Sequence, residues 1–107
     1  MHSIEDQCRS AFPNGLDDLT KLEWVSLEIL MMHDTLYEHQ PIFIGEFSGQ
    51  FGKRLNTYGS RATVLSLHKR GMAVRHSQTR GVWAFWNITP KGKLALKYRE
   101  LFMSETI

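Results

Sequence analysis

The sequence predicts an α+β fold in which helices come first, a β-hairpin follows and a further helix comes last. Two patterns lead to this prediction: apolar residues recur every three to four positions before Gly71, and they alternate with polar residues after it. A length of 107 residues with 42% hydrophobic residues suits one compact core. We expect an N-terminal arm over residues 1–18, loosely ordered apart from a short helix before Pro13-Asn14-Gly15, and one domain over residues 19–107.

The first long helix is predicted to begin after Thr20, because Thr20 and Glu23 have the spacing of a capping box. It should end near residues 38–40, since Pro41 disfavours helical geometry in the residue before it. The apolar stripe expected to face the core has helical spacing: Leu22, Val25, Ile29, Met32 and Leu36.

A short strand and two more helices are expected next. The β-prone run Ile42-Phe43-Ile44 predicts the strand. A third helix should run from Thr57 or Ser60 to Arg70 and stop at Gly71. Between them, a weaker second helix is marked by apolar residues four positions apart: Phe47, Phe51 and Leu55. The third helix should direct three residues inward: Thr63, Val64 and Leu67.

A β-hairpin is predicted between Gly71 and Thr89, with its turn at residues 78–81. The last helix should begin at Thr89-Pro90, since threonine is a good N-cap and proline suits the first helical position. In the hairpin, one apolar set alternates with its neighbours: Val82, Ala84, Trp86 and Ile88. The last helix has an apolar face with a fourth residue at its edge: Leu94, Tyr98, Leu101 and Phe102.

The charge distribution is strongly asymmetric. Residues 1–46 carry a net charge of −7 and residues 47–107 carry +9. From Phe47 to Arg99 there are eleven Lys and Arg and no Asp or Glu. This stretch should present a positive surface wherever its side chains emerge, and a positive surface attracts nucleic acid.

Two helices joined by a tight turn and followed by a basic hairpin are the elements of a winged helix-turn-helix. In that fold the second helix of the pair enters the major groove of DNA, and the hairpin tip lies beside the backbone. We therefore expect the DNA contacts to come from the third helix and the hairpin: Thr57, Tyr58, Ser60, Arg61, Ser66, Lys69, Arg75, His76, Gln78, Thr79 and Arg80.

Two segments resemble a known family. Residues 60–75, SRATVLSLHKRGMAVR, look like the recognition helix and first wing strand of MarR-like and PadR-like winged-helix regulators. Residues 86–92, WNITPKG, are similar to the second wing strand and the start of the following helix in the same proteins. The resemblance covers about residues 20–103 and implies a cytoplasmic transcription regulator, a repressor in our reading, that binds palindromic DNA as a dimer.

A homodimer is also expected because one small winged helix covers a single half-site. The dimer interface is predicted on the last helix, with help from the first helix or the arm: Leu94, Tyr98, Leu101 and Phe102.

Other classes of protein receive little support. The longest apolar run, Val82 to Trp86, is far too short to span a bilayer. Cys8 is the only cysteine, which fits a reducing compartment and offers no disulfide. His33 and His39 lie six positions apart without further ligands, so we expect no metal site. We also expect no enzyme and no cofactor, because no phosphate-binding loop or activated nucleophile is visible.

The aromatic residues leave alternatives open. Trp83 and Phe85 should lie on the hairpin face opposite Trp86, where they could contact the arm, a second subunit or a protein partner. The chief alternative function is therefore a winged-helix module for protein–protein interaction. Binding of RNA or single-stranded DNA by stacking on Trp83, Phe85 or Tyr58 is a third possibility.

Overall fold

The computed structural model describes residues 3–43, 57–76 and 85–103. Within these ranges the chain forms four α-helices and a small antiparallel sheet, which confirms the α+β class. The helices are α1 (Ile4–Ala11), α2 (Lys21–Leu36), α3 (Thr57–Lys69) and α4 (Pro90–Tyr98), and α4 continues as a π-helical turn, Arg99–Met103. The strands are β1 (Ile42–Phe43), β2 (Ala73–Arg75) and β3 (Phe85–Ile88). The helix predicted around Phe47, Phe51 and Leu55 and the hairpin turn lie outside the described residues.

The sheet has the order β1-β3-β2, and both pairings are antiparallel. Ile42 pairs with Trp86 on one side of β3, and Ala73 pairs with Ile88 on the other. Trp86 and Ile88 are buried, so they face the core as the alternation predicts. The hairpin pairing of β2 with β3 is confirmed for its described residues.

The core lies between the helices and the inner face of this sheet. Its most deeply buried side chains come from separate elements: Leu27 and Leu30 of α2, Val64 and Leu67 of α3, and Met72 before β2. Val64 and Leu67 were predicted to point inward and do so; Thr63 is half-buried. The core therefore holds α3 between α2 and the sheet by apolar contact.

The inward face of α2 differs from the prediction. The capping box at Thr20 is present, but Leu22, Met32 and Leu36 of the predicted stripe are 43%, 45% and 65% exposed. Only Ile29 of that stripe is fully buried, and Val25 is half-buried. The face that packs inward instead combines Leu27 and Leu30 with three buried polar residues: Glu23, Ser26 and Asp34. Hydrophobic periodicity counts Glu23 and Asp34 as outward-facing, but both are buried because each has ionic partners inside the fold.

The expectation of a loosely ordered arm is also wrong. A short helix before Pro13 is present as α1, capped by Ser3, whose Oγ accepts a hydrogen bond from Asp6 N at 3.1 Å. Cys8, Phe12 and Leu16 are 0%, 6% and 3% exposed. Cys8 and Phe12 contact Leu94 and Tyr98 of α4, and Phe12 and Leu16 belong to the hydrophobic core, so this segment packs against the domain. Burial is the main cause that raises the pKa of the Cys8 thiol.

The turns at both ends of the hairpin agree with the sequence. Gly71 follows α3 with φ +77°, in the left-handed region, and Met72 N donates to Leu67 O at 2.9 Å. Thr89 caps α4: its Oγ1 accepts from Gly92 N at 3.1 Å and donates to Gly71 O at 2.6 Å. One threonine side chain therefore joins the start of α4 to the end of α3.

Gly92→Ala is expected to lower the free energy of unfolding by about 1–3 kcal/mol. A Cβ atom at Gly92 would collide with the backbone oxygen of Met72 and would lie 2.7 Å from Ile88 Cγ1. At a helical site with open space around it, replacing glycine by alanine would raise the free energy of unfolding by up to about 1 kcal/mol, since alanine is the better helix former. The sign of the shift in the thermal midpoint, followed by circular dichroism, is therefore diagnostic. A variant at least as stable as the wild type would contradict the close approach of α4 to Met72.

Candidate nucleic-acid interface

The candidate interface is the outer face of α3. Val64 and Leu67 are fully buried, so the opposite side of the helix faces outward. Arg61, Leu65 and Lys69 lie on that side at four-residue spacing, and all three are exposed. Ala62 is exposed beside them. The outer face of α3 is thus a line of two cationic side chains with a leucine between them.

The orientation of this face depends on the buried carboxylate of Glu23. Glu23 is 5% exposed, and its Oε2 accepts from Ser66 Oγ at 2.8 Å and from Arg70 Nε at 3.1 Å. Its Oε1 accepts from Thr20 N at 3.0 Å and completes the capping box of α2. Ser66 and Arg70 lie one turn apart on α3 and just beyond its end, so two directional bonds fix how α3 is rotated about its axis.

Arg70 extends this connection to the loop before α2. Its Nη1 donates to Asp18 Oδ2 at 3.0 Å, while its Nε bonds to Glu23. Burial lowers the pKa of Arg70, but the hydrogen bond from Arg70 to Asp18 and the charges of Glu23 and Asp18 outweigh it and leave the pKa raised. Arg70 therefore serves the fold as a fixed cation and is turned away from the outer face of α3.

The same contacts keep Glu23 ionised. Burial raises the pKa of Glu23, but the hydrogen bonds from Thr20 and Ser66 and the charge of Arg70 outweigh it and bring the pKa below its ordinary value. A buried, ionised carboxylate that accepts hydrogen bonds from Thr20, Ser66 and Arg70 is a rigid anchor.

A second connection joins α3 to β2. His68 Nδ1 lies 3.0 Å from Ala73 O, and its ring meets the ring of Trp86 edge-on with centroids 5.7 Å apart. Beyond this point Val74, Arg75 and His76 are exposed, and His76 N donates to Phe85 O at 2.9 Å. The described part of β2 therefore places a cation, Arg75, on the surface.

The positive surface formed by residues 47–99 is smaller than their lack of Asp and Glu implies. Three of its bases are paired with acids from the first 46 residues, so the expectation that every emerging base adds to a positive field is wrong for them. These pairs are Arg70 with Asp18 and Glu23, Lys93 with Asp34, and Arg99 with Glu28. By contrast, no acid within the described ranges forms an ion pair with Arg61, Lys69 or Arg75.

The structure also locates the other predicted DNA contacts. Ser66 is turned inward and donates its hydroxyl proton to Glu23, so it leaves the set of candidate contacts. The first turn of α3 contains three predicted contacts whose side chains lie outside the described part of the structure: Thr57, Tyr58 and Ser60. Three more predicted contacts lie outside the described residues altogether: Gln78, Thr79 and Arg80. Leu65 was missed because a leucine within a predicted helix is normally assigned to the core.

The predicted dimer residues are divided between two environments. Leu94 is half-buried against the core, and Tyr98 meets Phe12, the residue that follows α1, edge-on at a centroid distance of 5.7 Å. Leu101 and Phe102 are 40% and 38% exposed. The guanidinium of Arg9 lies 5.0 Å from the ring centroid of Phe102. Helix α1 thus covers the first half of this apolar face within the same chain and leaves the second half accessible.

The outer face of the sheet carries aromatic residues. Phe85 packs on Phe43 of β1, with ring centroids 5.4 Å apart, so its described neighbour is a strand of the same sheet rather than the arm. Phe85 and Phe43 are both half-buried. Trp83 lies outside the described residues, so its predicted role with a protein partner stays a prediction.

Among the described residues, no three His, Cys, Asp or Glu side chains gather in a group that could hold a metal ion. His33 and His39 have different partners. His39 Nδ1 lies 2.9 Å from Asp34 Oδ2, and His33 Nδ1 lies 3.1 Å from Gln40 O. A search of the same residues finds no helix with the length and apolar character needed to cross a membrane.

Comparisons with known proteins give no match: no protein-family model, no curated protein and no solved structure is significantly similar to this chain. The resemblance of residues 60–75 and 86–92 to MarR-like and PadR-like regulators therefore remains a prediction from the sequence. The candidate interface rests on the geometry and charge of α3 and β2.

The free energy of unfolding should fall as the pH drops below about 4.5, the ordinary pKa of glutamate. The folded pKa of Glu23 is lowered, so its contribution is fully present above the unfolded pKa and is lost as pH falls through the folded pKa. Glu23→Gln should flatten this dependence and cost about 1–3 kcal/mol at pH 7, because it removes the buried carboxylate that pairs with Arg70 and leaves Arg70 only its pair with the exposed Asp18.

Chemical denaturation at several pH values measures both effects. Glu28→Gln is the matched control, since Glu28 forms an exposed pair with Arg99 and should change little. Equal pH dependence in Glu23→Gln and the wild type would show that Glu23 is not the anchor of α3.

Proposed function

We propose that this protein binds double-stranded DNA in a sequence-specific manner and regulates transcription as a dimeric repressor. The observation that carries the proposal is the outer face of α3, where Arg61 and Lys69 are exposed without an acid partner in the described part of the chain. Four acids from the first 46 residues are paired with bases elsewhere: Asp18, Glu23, Glu28 and Asp34. Arg61 and Lys69 of α3 and Arg75 of β2 keep their positive charge on the two elements whose position suits DNA binding.

In this proposal α3 is the recognition helix and β2–β3 is the wing of a winged helix-turn-helix. The order of α2, β1, α3, β2, β3 and α4 supports it, as does the direct passage from α3 into the hairpin at Gly71. An α-helix fits the major groove, where each base pair presents a distinct pattern of donors, acceptors and methyl groups. Arg61 lies in the second turn of α3, near enough to its N-terminus to reach base edges.

Repression would follow from occlusion, because a dimer on a promoter blocks access of RNA polymerase. The protein would act in the cytoplasm by binding rather than by catalysis, without a cofactor or metal.

The decisive experiment is selection of bound duplexes from a random pool, followed by affinity measurements across a range of salt concentrations. A recovered motif with two symmetric half-sites, and an affinity that falls steeply with salt, would support the proposal. Failure to recover any motif, together with no binding to random duplex at low salt, would overturn it.

A protein–protein interaction module is the second candidate. The exposed apolar side chains of α2 favour it, since Leu22, Met32 and Leu36 are all at least 43% exposed. The affinity of an apolar protein interface should change little with salt concentration. The affinity of a DNA complex held by phosphate contacts should fall steeply as salt is added. The same salt titration therefore separates the two functions.

Arg61→Ala should reduce discrimination between the selected motif and random duplex by about 1–3 kcal/mol, the range for a bidentate base contact. Arg75→Ala should weaken both duplexes alike and lower the salt slope by about 0.9 per lost phosphate contact. Fluorescence anisotropy at several salt concentrations measures both quantities. Lys97→Ala is the control, because Lys97 is paired with Glu100 and lies outside the proposed interface. An Arg61→Ala variant that weakened both duplexes equally would contradict base reading by Arg61.

A homodimer is expected at micromolar concentration, held by the accessible half of the apolar face after α4, which contains Leu101 and Phe102. Phe102→Ala should shift the equilibrium toward monomer by removing buried aromatic area. Light scattering of the wild type and the variant measures this shift. Leu65→Ala, an exposed leucine on the outer face of α3, is the control for the free protein, and a monomeric wild type both free and on DNA would refute the dimer.

A further inference from the structure

Leu65 has an unusual position for a leucine. It is 36% exposed at the centre of the outer face of α3, four residues from Arg61 and four from Lys69. Leucines of the same helix that serve the core, such as Leu67, are fully buried. The core therefore does not account for the exposed part of Leu65.

The surroundings of Leu65 limit what could cover it. The two residues beside it along the helix are cations that lack an acid partner in the described ranges, and Arg75 on β2 adds a third. An apolar protein surface placed here would have to bury these charges unpaired, which is costly. A DNA major groove satisfies both requirements, because it supplies phosphates to the cations and thymine methyl groups to the leucine.

We propose that Leu65 reads the C5-methyl group of a thymine in the major groove and so makes this protein specific for an A·T pair within about two base pairs of the base contacted by Arg61. This inference rests on the proposed DNA-binding function. Four helical residues span about 6 Å along the axis and base pairs stack about 3.4 Å apart, so the thymine lies within about two base pairs of the base that Arg61 contacts.

The neighbouring side chain is compatible with this close approach. Ala62 is exposed next to Arg61 and is too small to hold the helix away from the base edges. The Glu23 anchor, through Ser66 and Arg70, prevents α3 from rotating Leu65 toward the core. The leucine side chain therefore projects where a groove-bound helix would meet the methyl group.

The experiment removes the C5-methyl group from thymine and leaves the protein unchanged. The duplex recovered by selection is compared with duplexes in which one thymidine at a time is replaced by deoxyuridine, which pairs identically but lacks the C5-methyl group. One position within two base pairs of the base contacted by Arg61 should lose about fourfold in affinity, the value of one buried methyl group.

The protein variants assign that loss to Leu65. In Leu65→Ala the thymidine and deoxyuridine duplexes should bind with equal affinity, whereas Leu36→Ala, an exposed leucine of α2, should keep the fourfold difference. Both variants replace a surface leucine by alanine in a helix, so a general loss of stability would affect them alike.

The outcomes separate this inference from the proposed function. A wild type that binds a selected motif but tolerates deoxyuridine at every position would overturn the role of Leu65 and leave DNA binding intact. Persistence of the fourfold difference in Leu65→Ala would assign the methyl contact to another residue and also overturn it. Absence of any duplex binding by the wild type would refute the proposed function itself.

Discussion

The buried carboxylate of Glu23 determines how the surface of α3 is presented. Apolar contacts of Val64 and Leu67 hold α3 against the core, but such contacts are not directional and allow a helix to rotate or slide. The bonds from Ser66 and Arg70 to Glu23 have defined lengths and angles, so they select one rotation of the helix. Because the same carboxylate caps α2, the start of one helix and the orientation of the next depend on a single side chain.

Local signals in the sequence were sufficient for the ends of helices. Thr20 and Thr89 cap their helices as expected, and Gly71 ends α3 in the left-handed conformation. These features depend on a few neighbouring residues, so spacing and residue type predict them. The pairing of β2 with β3 follows in the same way from alternation over a short stretch.

Features that depend on distant partners could not be predicted in this way. The inward face of α2 was assigned wrongly because Glu23 and Asp34 are buried by virtue of cations from α4 and the end of α3. The arm was expected to be loosely ordered because residues 1–18 are polar and interrupted by Pro13-Asn14-Gly15, and the surface of α4 that Cys8 and Phe12 contact is far away in sequence. In the candidate site, Ser66 was wrongly predicted to contact DNA for the same reason, because its partner Glu23 lies 43 residues away in the sequence.

The anchor of α3 also has a consequence for the folding pathway. Arg70 lies 47 residues from Glu23 and 52 from Asp18 in the sequence, so both bonds close long loops. Loop closure costs entropy before any contact is gained, and contacts of large sequence separation generally slow folding. We therefore expect these two bonds to be among the slower contacts to form. A chain that has formed its helices but not these bonds holds the residues of the outer face of α3 without their final geometry.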